Sequence, residues 1–281
     1  MPGEYICHRH LTSRACGGVR IPRVDTLPDR LASETYDSRP LLLLLHAFPM
    51  DRRMWQPQGV ELCEVARVVA VDLPGFGESP PLLGPQRMDA WVDRLERFIA
   101  RVSGSEPVVV CGLSMGGYVA QRLAARHPGR LRALVLADTR AAADNEAERK
   151  ARDRAIALVR EHGVPTLVDG LLPRLFSPQA SPRIVAHARR LMDEQSPQGV
   201  MDALATMRDR HDSSACLATI DVPTLLLVGE ADELTPVATA EAMVEAIPDG
   251  RLEVIPGAGH LSNMEAAAAF NLALGSFLER V

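Results

Sequence analysis

Lysine and aromatic residues are scarce in this 281-residue sequence. Lys150 is the only lysine among 31 basic side chains, and phenylalanine, tryptophan and tyrosine make up 4% of the chain. The formal net charge is −5, so the chain has no overall excess of cations with which to displace the counterions of a phosphate backbone. Nucleic acid is therefore not an expected partner.

The sequence also lacks paired cysteines and long apolar runs. Its five cysteines include no C-x-x-C pair, which argues against both a disulfide framework and a zinc site. Reduced, mostly buried thiols are expected, and the spacing of His8 and His10 with Cys7 and Cys16 matches no familiar metal site. The longest aliphatic run, Leu41–Leu45, is far shorter than the roughly 20 apolar residues of a membrane-spanning helix. We expect a cytoplasmic protein with no membrane span, because no secretory signal is visible.

Six short apolar runs alternate with longer helical patterns from residue 40 onward. The runs are apolar on both faces, as is typical of parallel strands that are covered by helices. The alternation predicts an α/β fold built on a doubly wound, mostly parallel sheet. The predicted strands are 40–46, 67–72, 107–112, 131–137, 223–229 and 251–255, and the predicted helices between and after them are 88–102, 115–126 and 261–278.

The interval 140–218 interrupts this alternation, because it contains several helical patterns and no convincing strand. Helices are predicted there over 145–162, 165–175, 182–194 and 197–210, and the last three open near a proline, which suits a first helical turn. We interpret 140–218 as an inserted helical cap on a core formed by 40–139 and 219–281. Residues 1–39 form an N-terminal segment without a clear strand pattern.

The segment GLSMGG, residues 112–117, carries the strongest chemical signal. It follows a predicted strand and precedes a predicted helix, which is the context in which G-x-S-x-G places a serine on a sharp, exposed turn. Ser114 is therefore a candidate nucleophile. The helix that follows adds a positive dipole and free backbone N–H groups, and the N–H of Met115 points to where an oxyanion would form.

A serine nucleophile requires a base and an orienting carboxylate. His260 lies in the glycine-rich loop GAGH after the last predicted strand, and its imidazole is the candidate base. The acid should follow the preceding strand, where VGEADELTP contains Glu230, Asp232 and Glu233. Asp232 is the preferred candidate because it occupies the turn, and Asp138, directly after the strand 131–137, is its competitor.

Five segments in order resemble the α/β-hydrolase fold superfamily, and in particular its small serine esterases, enol-lactonases and cofactor-free perhydrolases. They are HAFPMD (46–51), DLPGFGES (72–79), GLSMGG, VGEADELTP (228–236) and GAGHLSNME (257–265), and the resemblance extends from about residue 40 to the C-terminus. It implies that the backbone N–H of Phe48 supplies a second oxyanion donor. Ala47 stands where the family usually has glycine. The family also carries two antiparallel strands before HAFPMD, which the sequence does not show clearly.

The resemblance implies a serine hydrolase that cleaves a carboxylic ester or lactone of a small molecule through an acyl-enzyme, without cofactor or metal. Serine at position 114 disfavours the haloalkane and epoxide chemistries that use an aspartate there. Two alternatives stay open: a ligand receptor with slow turnover, and a perhydrolase or acyltransferase that uses another acceptor. Apolar cap residues are candidates for lining the substrate pocket: Leu171, Leu172, Leu175, Phe176, Met201, Leu204 and Met207.

Overall fold

The computed structural model describes residues 39–84 and 87–281, and within them the chain forms a six-stranded sheet. The strand order is β2-β1-β3-β4-β5-β6, and every neighbouring pair is parallel. The predicted α/β fold with a mostly parallel sheet is confirmed. The strands are β1 (Leu41–Leu45), β2 (Arg67–Val71), β3 (Val108–Leu113), β4 (Leu131–Ala137), β5 (Thr224–Gly229) and β6 (Gly250–Ile255).

The centre of the sheet forms the core of the molecule. β1, β3 and β5 are buried along their whole length, because helices cover both faces of a doubly wound sheet. The two edge strands differ from the sequence prediction of strands buried on both faces. β2 is half-buried throughout, and Arg251, Glu253 and Val254 of β6 are exposed.

Ten α-helices surround the sheet in the described part of the chain. Two of them, α1 and α8, were not predicted, because α1 is short and α8 consists mainly of small residues without a distinct apolar stripe. The predicted helix 261–278 is divided, since Ala266 leaves the helical backbone conformation with φ −123° and ψ 51°. The helices are α1 (Gln56–Glu61), α2 (Met88–Ser103), α3 (Met115–Arg126), α4 (Glu146–His162), α5 (Val164–Leu171), α6 (Pro182–Asp193), α7 (Pro197–Arg208), α8 (Val237–Ala246), α9 (Ser262–Glu265) and α10 (Ala267–Leu278).

Helices α4 to α7 lie between β4 and β5, where the sequence predicts the cap. α4 begins at a reciprocal capping box, in which Asn145 Oδ1 accepts from Glu148 N at 3.0 Å and Glu148 Oε2 accepts from Asn145 N at 2.8 Å. α6 and α7 each begin with proline, as predicted from the missing N–H of that residue. We refer to residues 140–218 below as the helical insertion.

Several sequence predictions concern residues outside the described part of the chain. The two N-terminal strands fall there, as do Cys7, Cys16, His8 and His10. Of the three cysteines described, only Cys111 is buried, and Cys63 and Cys216 are half-buried, so the prediction of mostly buried thiols is confirmed for Cys111 alone. Within the described residues, no helix is both long enough and apolar enough to cross a bilayer.

Candidate active site

Ser114 lies on the sharp turn between β3 and α3. Its backbone has φ 53°, a left-handed conformation that costs a side-chain-bearing residue about 1–3 kcal/mol. The turn is held by hydrogen bonds from Ser114 N to Ala137 O at 2.9 Å and from Gly117 N to Ser114 O at 2.9 Å. Glycine is required at position 116, because a Cβ there would overlap the backbone carbonyl of Leu45. The side chain of Ser114 is partly exposed at this edge of the sheet.

His260 lies in the loop between β6 and α9, above the same edge. Its Nε2 is 2.8 Å from Ser114 Oγ, and its Nδ1 is 2.8 Å from Asp232 Oδ2. The side chains of His260 and Asp232 are almost completely buried, at 4% and 0% exposure, so this hydrogen-bonded chain is shielded from water. The structure thus brings together the three side chains that the sequence singled out on three separate loops.

Asp232 lies in the turn after β5. Its Oδ1 accepts from Leu234 N at 2.8 Å and from Thr235 N at 3.0 Å, and its Oδ2 accepts from Thr235 Oγ1 at 2.6 Å. Burial raises the pKa of the Asp232 carboxyl, but the hydrogen bond and charge of His260 and the donors of Thr235 outweigh burial and leave this pKa below its ordinary value. Asp232 is therefore ionised at neutral pH, and it accepts a hydrogen bond from the Nδ1–H group of His260.

Asp138, the competing candidate for the acid, occupies a different position. It follows β4 with φ 44° and is 1% exposed, and within the described residues it has no hydrogen bond to His260. Instead its carboxyl accepts from Gly229 N at 2.8 Å and is bonded to the hydroxyl of Ser262. Burial, followed by the nearby charge of Asp232, raises the pKa of Asp138 well above its ordinary value.

Two buried backbone N–H groups, which follow the neighbouring parallel strands β1 and β3, have no hydrogen-bond partner in the described part of the chain. They belong to Phe48, in the loop after β1, and to Met115, the first residue of α3. Both residues are buried, at 8% and 0% exposure, and a buried N–H normally finds an acceptor. Ala47 does not adopt a positive φ, since only Ser114 and Asp138 do so among the described non-glycine residues. The pair is available to bind an oxygen of a ligand.

Three side chains that hold these loops were not predicted from the sequence. Thr235 donates to Asp232, and Thr139 Oγ1 donates to Ser114 O at 2.8 Å. Glu265 accepts from Gly259 N at 2.9 Å and from the backbone N–H and hydroxyl of Ser177 in the helical insertion. Each follows a predicted site residue or strand by a few positions, but spacing does not reveal that Thr235 donates within its own turn or that Thr139 and Glu265 bind the backbone of another loop.

A groove lies between the helical insertion and the loop that carries Asp232. Its volume is about 1070 Å³, and it includes Asp232 but neither Ser114 nor His260 in its lining. Of the apolar residues proposed for the substrate pocket, Leu172 and Phe176 line this groove. By contrast, Leu204 and Met207 are buried at 2% exposure and belong to the packed interior.

Comparisons with known proteins agree with this architecture. The chain is 29% identical over 245 residues to 3-oxoadipate enol-lactonase 2 of Acinetobacter baylyi, covering 86% of this chain and 90% of that protein. It is 29% identical over 253 residues to the pimeloyl-[acyl-carrier protein] methyl ester esterase of Chromobacterium violaceum, covering 88% and 97%. The solved structure of a thermophilic esterase from Thermogutta terrifontis, with malate bound, is similar with a TM-score of 0.83 and 37% identity, covering 86% of this chain and 90% of that one.

The family model described as alpha/beta hydrolase fold matches residues 40–267. That range contains β1 to β6, the helical insertion and the loops of Ser114, Asp232 and His260. The chain therefore belongs to the alpha/beta hydrolase fold family.

Proposed function

We propose that the protein is a serine hydrolase that cleaves a carboxylic ester or lactone through an acyl-enzyme intermediate. The observation that carries the proposal is the unbroken chain of hydrogen bonds from Ser114 Oγ through His260 to Asp232, with both links at 2.8 Å. Distances in this range allow the imidazole to take the hydroxyl proton as the hydroxyl oxygen attacks.

The first half of the reaction forms the acyl-enzyme. Ser114 Oγ attacks the ester carbonyl carbon, and its proton passes to Nε2 of His260. The ionised Asp232 stabilises the imidazolium that results and holds the ring in the required orientation. The N–H groups of Phe48 and Met115 donate to the oxyanion of the tetrahedral intermediate, which collapses as Nε2 returns the proton to the leaving alcohol.

The second half releases the acid. Water enters, gives a proton to Nε2 of His260 and attacks the acyl carbon, and the oxyanion again forms opposite the Phe48 and Met115 N–H groups. Collapse returns the proton to Ser114 Oγ and frees the carboxylic acid. Every proton is carried by groups of this chain, so the cycle needs no cofactor.

The test is a panel of activated esters and lactones assayed with the wild-type protein and with Ser114→Ala. The variant should lose activity by at least about 10⁴-fold in kcat, because the nucleophile is absent while the oxyanion donors remain. It should also lose labelling by a fluorophosphonate, which reacts covalently with an activated serine. Ser103→Ala, at the far end of α2, is the matched control. Retention of most activity by Ser114→Ala would overturn the assignment.

The same panel also narrows the range of candidate substrates. The two relatives are named for a lactone and for a methyl ester, so both classes are included. Esters with a free carboxylate are included because the similar esterase carries malate. Addition of hydrogen peroxide or short alcohols to one acyl donor then separates hydrolysis from perhydrolysis and acyl transfer. A receptor would give slow, near-stoichiometric turnover instead.

A further inference from the structure

Two consecutive residues after β4, Asp138 and Thr139, contact the segments of all three site residues. β4 lies between β3 and β5 in the sheet, and the carboxyl ends of these parallel strands meet at one edge. Residues that follow β4 therefore stand between the turn of Ser114, which follows β3, and the loop of Asp232, which follows β5. We call the pair the β4 clamp.

Thr139 fixes the turn that carries the nucleophile. Its Oγ1 donates to Ser114 O at 2.8 Å, while the carbonyl of Ala137 accepts from Ser114 N at 2.9 Å. The backbone of Ser114 is thus bonded on both sides to residues at the end of β4. Because this backbone has a positive φ, it needs such external support to stay in place.

Asp138 joins the other two loops. One carboxyl oxygen accepts from Gly229 N at 2.8 Å, and the other is bonded to the hydroxyl of Ser262. Gly229 lies three positions before Asp232, and Ser262 lies two positions after His260. In the described part of the chain Asp138 has no hydrogen bond to the side chain of Asp232 or His260, but it bonds to the segments that carry them.

The carboxyl of Asp138 is buried beside the charge of Asp232, and both effects raise its pKa well above the ordinary value. Gly229 N and Ser262 Oγ donate to its two oxygens, and these hydrogen bonds act on the same pKa in the opposite direction. Asp138 is therefore fixed between the two loops by one donor from each of them.

We propose that the β4 clamp is a positioning device, in which Asp138 and Thr139 hold the loops of Ser114, Asp232 and His260 in register for proton transfer. This inference rests on the proposed serine hydrolase function. Because the clamp sets geometry and does not bind substrate, its loss lowers kcat and leaves KM close to that of the wild type.

Asp138→Ala and Asp138→Asn test the bridge. Alanine removes both contacts and should lower kcat per active site by about 10- to 100-fold, as expected for misplacement of reacting groups by about 1 Å. Asparagine keeps one acceptor and one donor and should retain most of the activity. Active sites are counted by fluorophosphonate titration. A variant that is only partly folded has fewer titratable sites, whereas a variant with misplaced reacting groups has a lower kcat per site. Asp144→Asn, which alters a buried carboxylate in the helical insertion, should leave kcat per site unchanged.

Thr139→Val and Ser262→Ala test the clamp with smaller changes, and decide the outcome if Asp138→Ala does not fold. Both should lower kcat per titrated site with little change in KM. Thr206→Val is the matched control, since Thr206 Oγ1 is buried without a partner in the described residues, and its kcat should be unchanged. Unchanged kcat per site in Thr139→Val, Ser262→Ala and any folded Asp138→Ala would overturn the clamp. If the clamp proposal is wrong but the proposed function is right, Ser114→Ala is still inactive. If the proposed function itself is wrong, Ser114→Ala keeps its activity.

Discussion

Asp232 accepts four hydrogen bonds, and only one of them comes from His260. Leu234 N, Thr235 N and Thr235 Oγ1 supply the others, so the carboxylate is fixed in the turn even without the imidazole. Its two oxygens therefore have distinct tasks: Oδ1 anchors the turn, and Oδ2 faces Nδ1 of His260. This division predicts that a change of charge at Asp232 affects chemistry more than folding.

Asp232→Asn should lower kcat by about 10⁴-fold, since an amide nitrogen facing Nδ1 favours the imidazole tautomer that cannot accept the proton of Ser114. KM should change little, because Asp232 lies behind the imidazole. The measurement is kcat and KM on an activated ester, with sites counted by titration. Asp221→Asn, an exposed aspartate just before β5, is the control. Near wild-type kcat in Asp232→Asn would contradict the role of this carboxylate.

The sequence predicts residues at the ends of strands better than residues that support them. Ser114, Asp232 and His260 were predicted because chain order and strand ends place them at one edge. Thr139 and Glu265 were missed because their bonds run to backbone atoms of other loops, whose approach depends on sheet twist and loop shape. Thr235 was missed because its bond to the Asp232 side chain depends on the shape of their shared turn. The sequence favoured Asp232 as the acid but kept Asp138 as a competitor, since both follow a buried strand.

The helical insertion is attached to the core through close contacts of three kinds. α7 meets the loop after β2 backbone to backbone at Gly199 and Gly75. Gln195 Nε2 donates to Asp51 Oδ2 at 2.8 Å, and its Oε1 accepts from Gly77 N at 3.1 Å. Together with the Glu265 contacts, these bonds hold the helical insertion over the edge of the sheet where Ser114 lies.

Gly199→Ala should destabilise this contact. The added Cβ would overlap the carbonyl oxygen of Gly75, and both atoms are part of backbone that is fixed by neighbouring structure. We expect a loss of about 1–3 kcal/mol in the free energy of unfolding, as for other overpacked sites, and a lower Tm. Gly170→Ala is the matched control, because nothing lies within 4 Å of a Cβ at that position of α5. Its Tm should be equal or slightly higher, and an unchanged Tm in Gly199→Ala would contradict the close contact.

The scarcity of lysine is also seen in the buried ion pairs, in which arginine supplies the cation. Two buried carboxylates outside the candidate active site are paired with arginine: Asp51 with Arg53, and Asp144 with Arg152 and Arg210. The planar guanidinium can satisfy two carboxylate oxygens at once, which suits such buried sites. Burial raises the pKa of both carboxyls, but the arginines outweigh burial and leave each pKa below its ordinary value.

Three kinds of buried group make the free energy of unfolding depend on pH, and the sign of this dependence differs between them. Asp51 and Asp144 have lowered pKa values, so their contribution is present above about pH 4, the unfolded value, and is lost as pH falls below it. His46 is buried and its pKa is lowered by that burial, so its contribution is lost as pH falls below about 6.5. Asp138 has a raised pKa, so its contribution is lost as pH rises above about 4.

Between about pH 4.5 and 6.5, His46 and Asp138 therefore act in opposite directions. His46→Gln should make Tm rise less steeply with pH in this window than in the wild type, because it removes one of the contributions that increase with pH. Asp138→Asn should remove the falling component and make Tm rise more steeply with pH than in the wild type. The measurement is calorimetric Tm across the window, with the exposed His162→Gln as a control whose slope matches the wild type. Each substitution removes only one of the two contributions, so the slope of Tm against pH should shift in opposite directions in the two variants. A shift in the same direction would contradict the claim that His46 and Asp138 have opposite effects on stability.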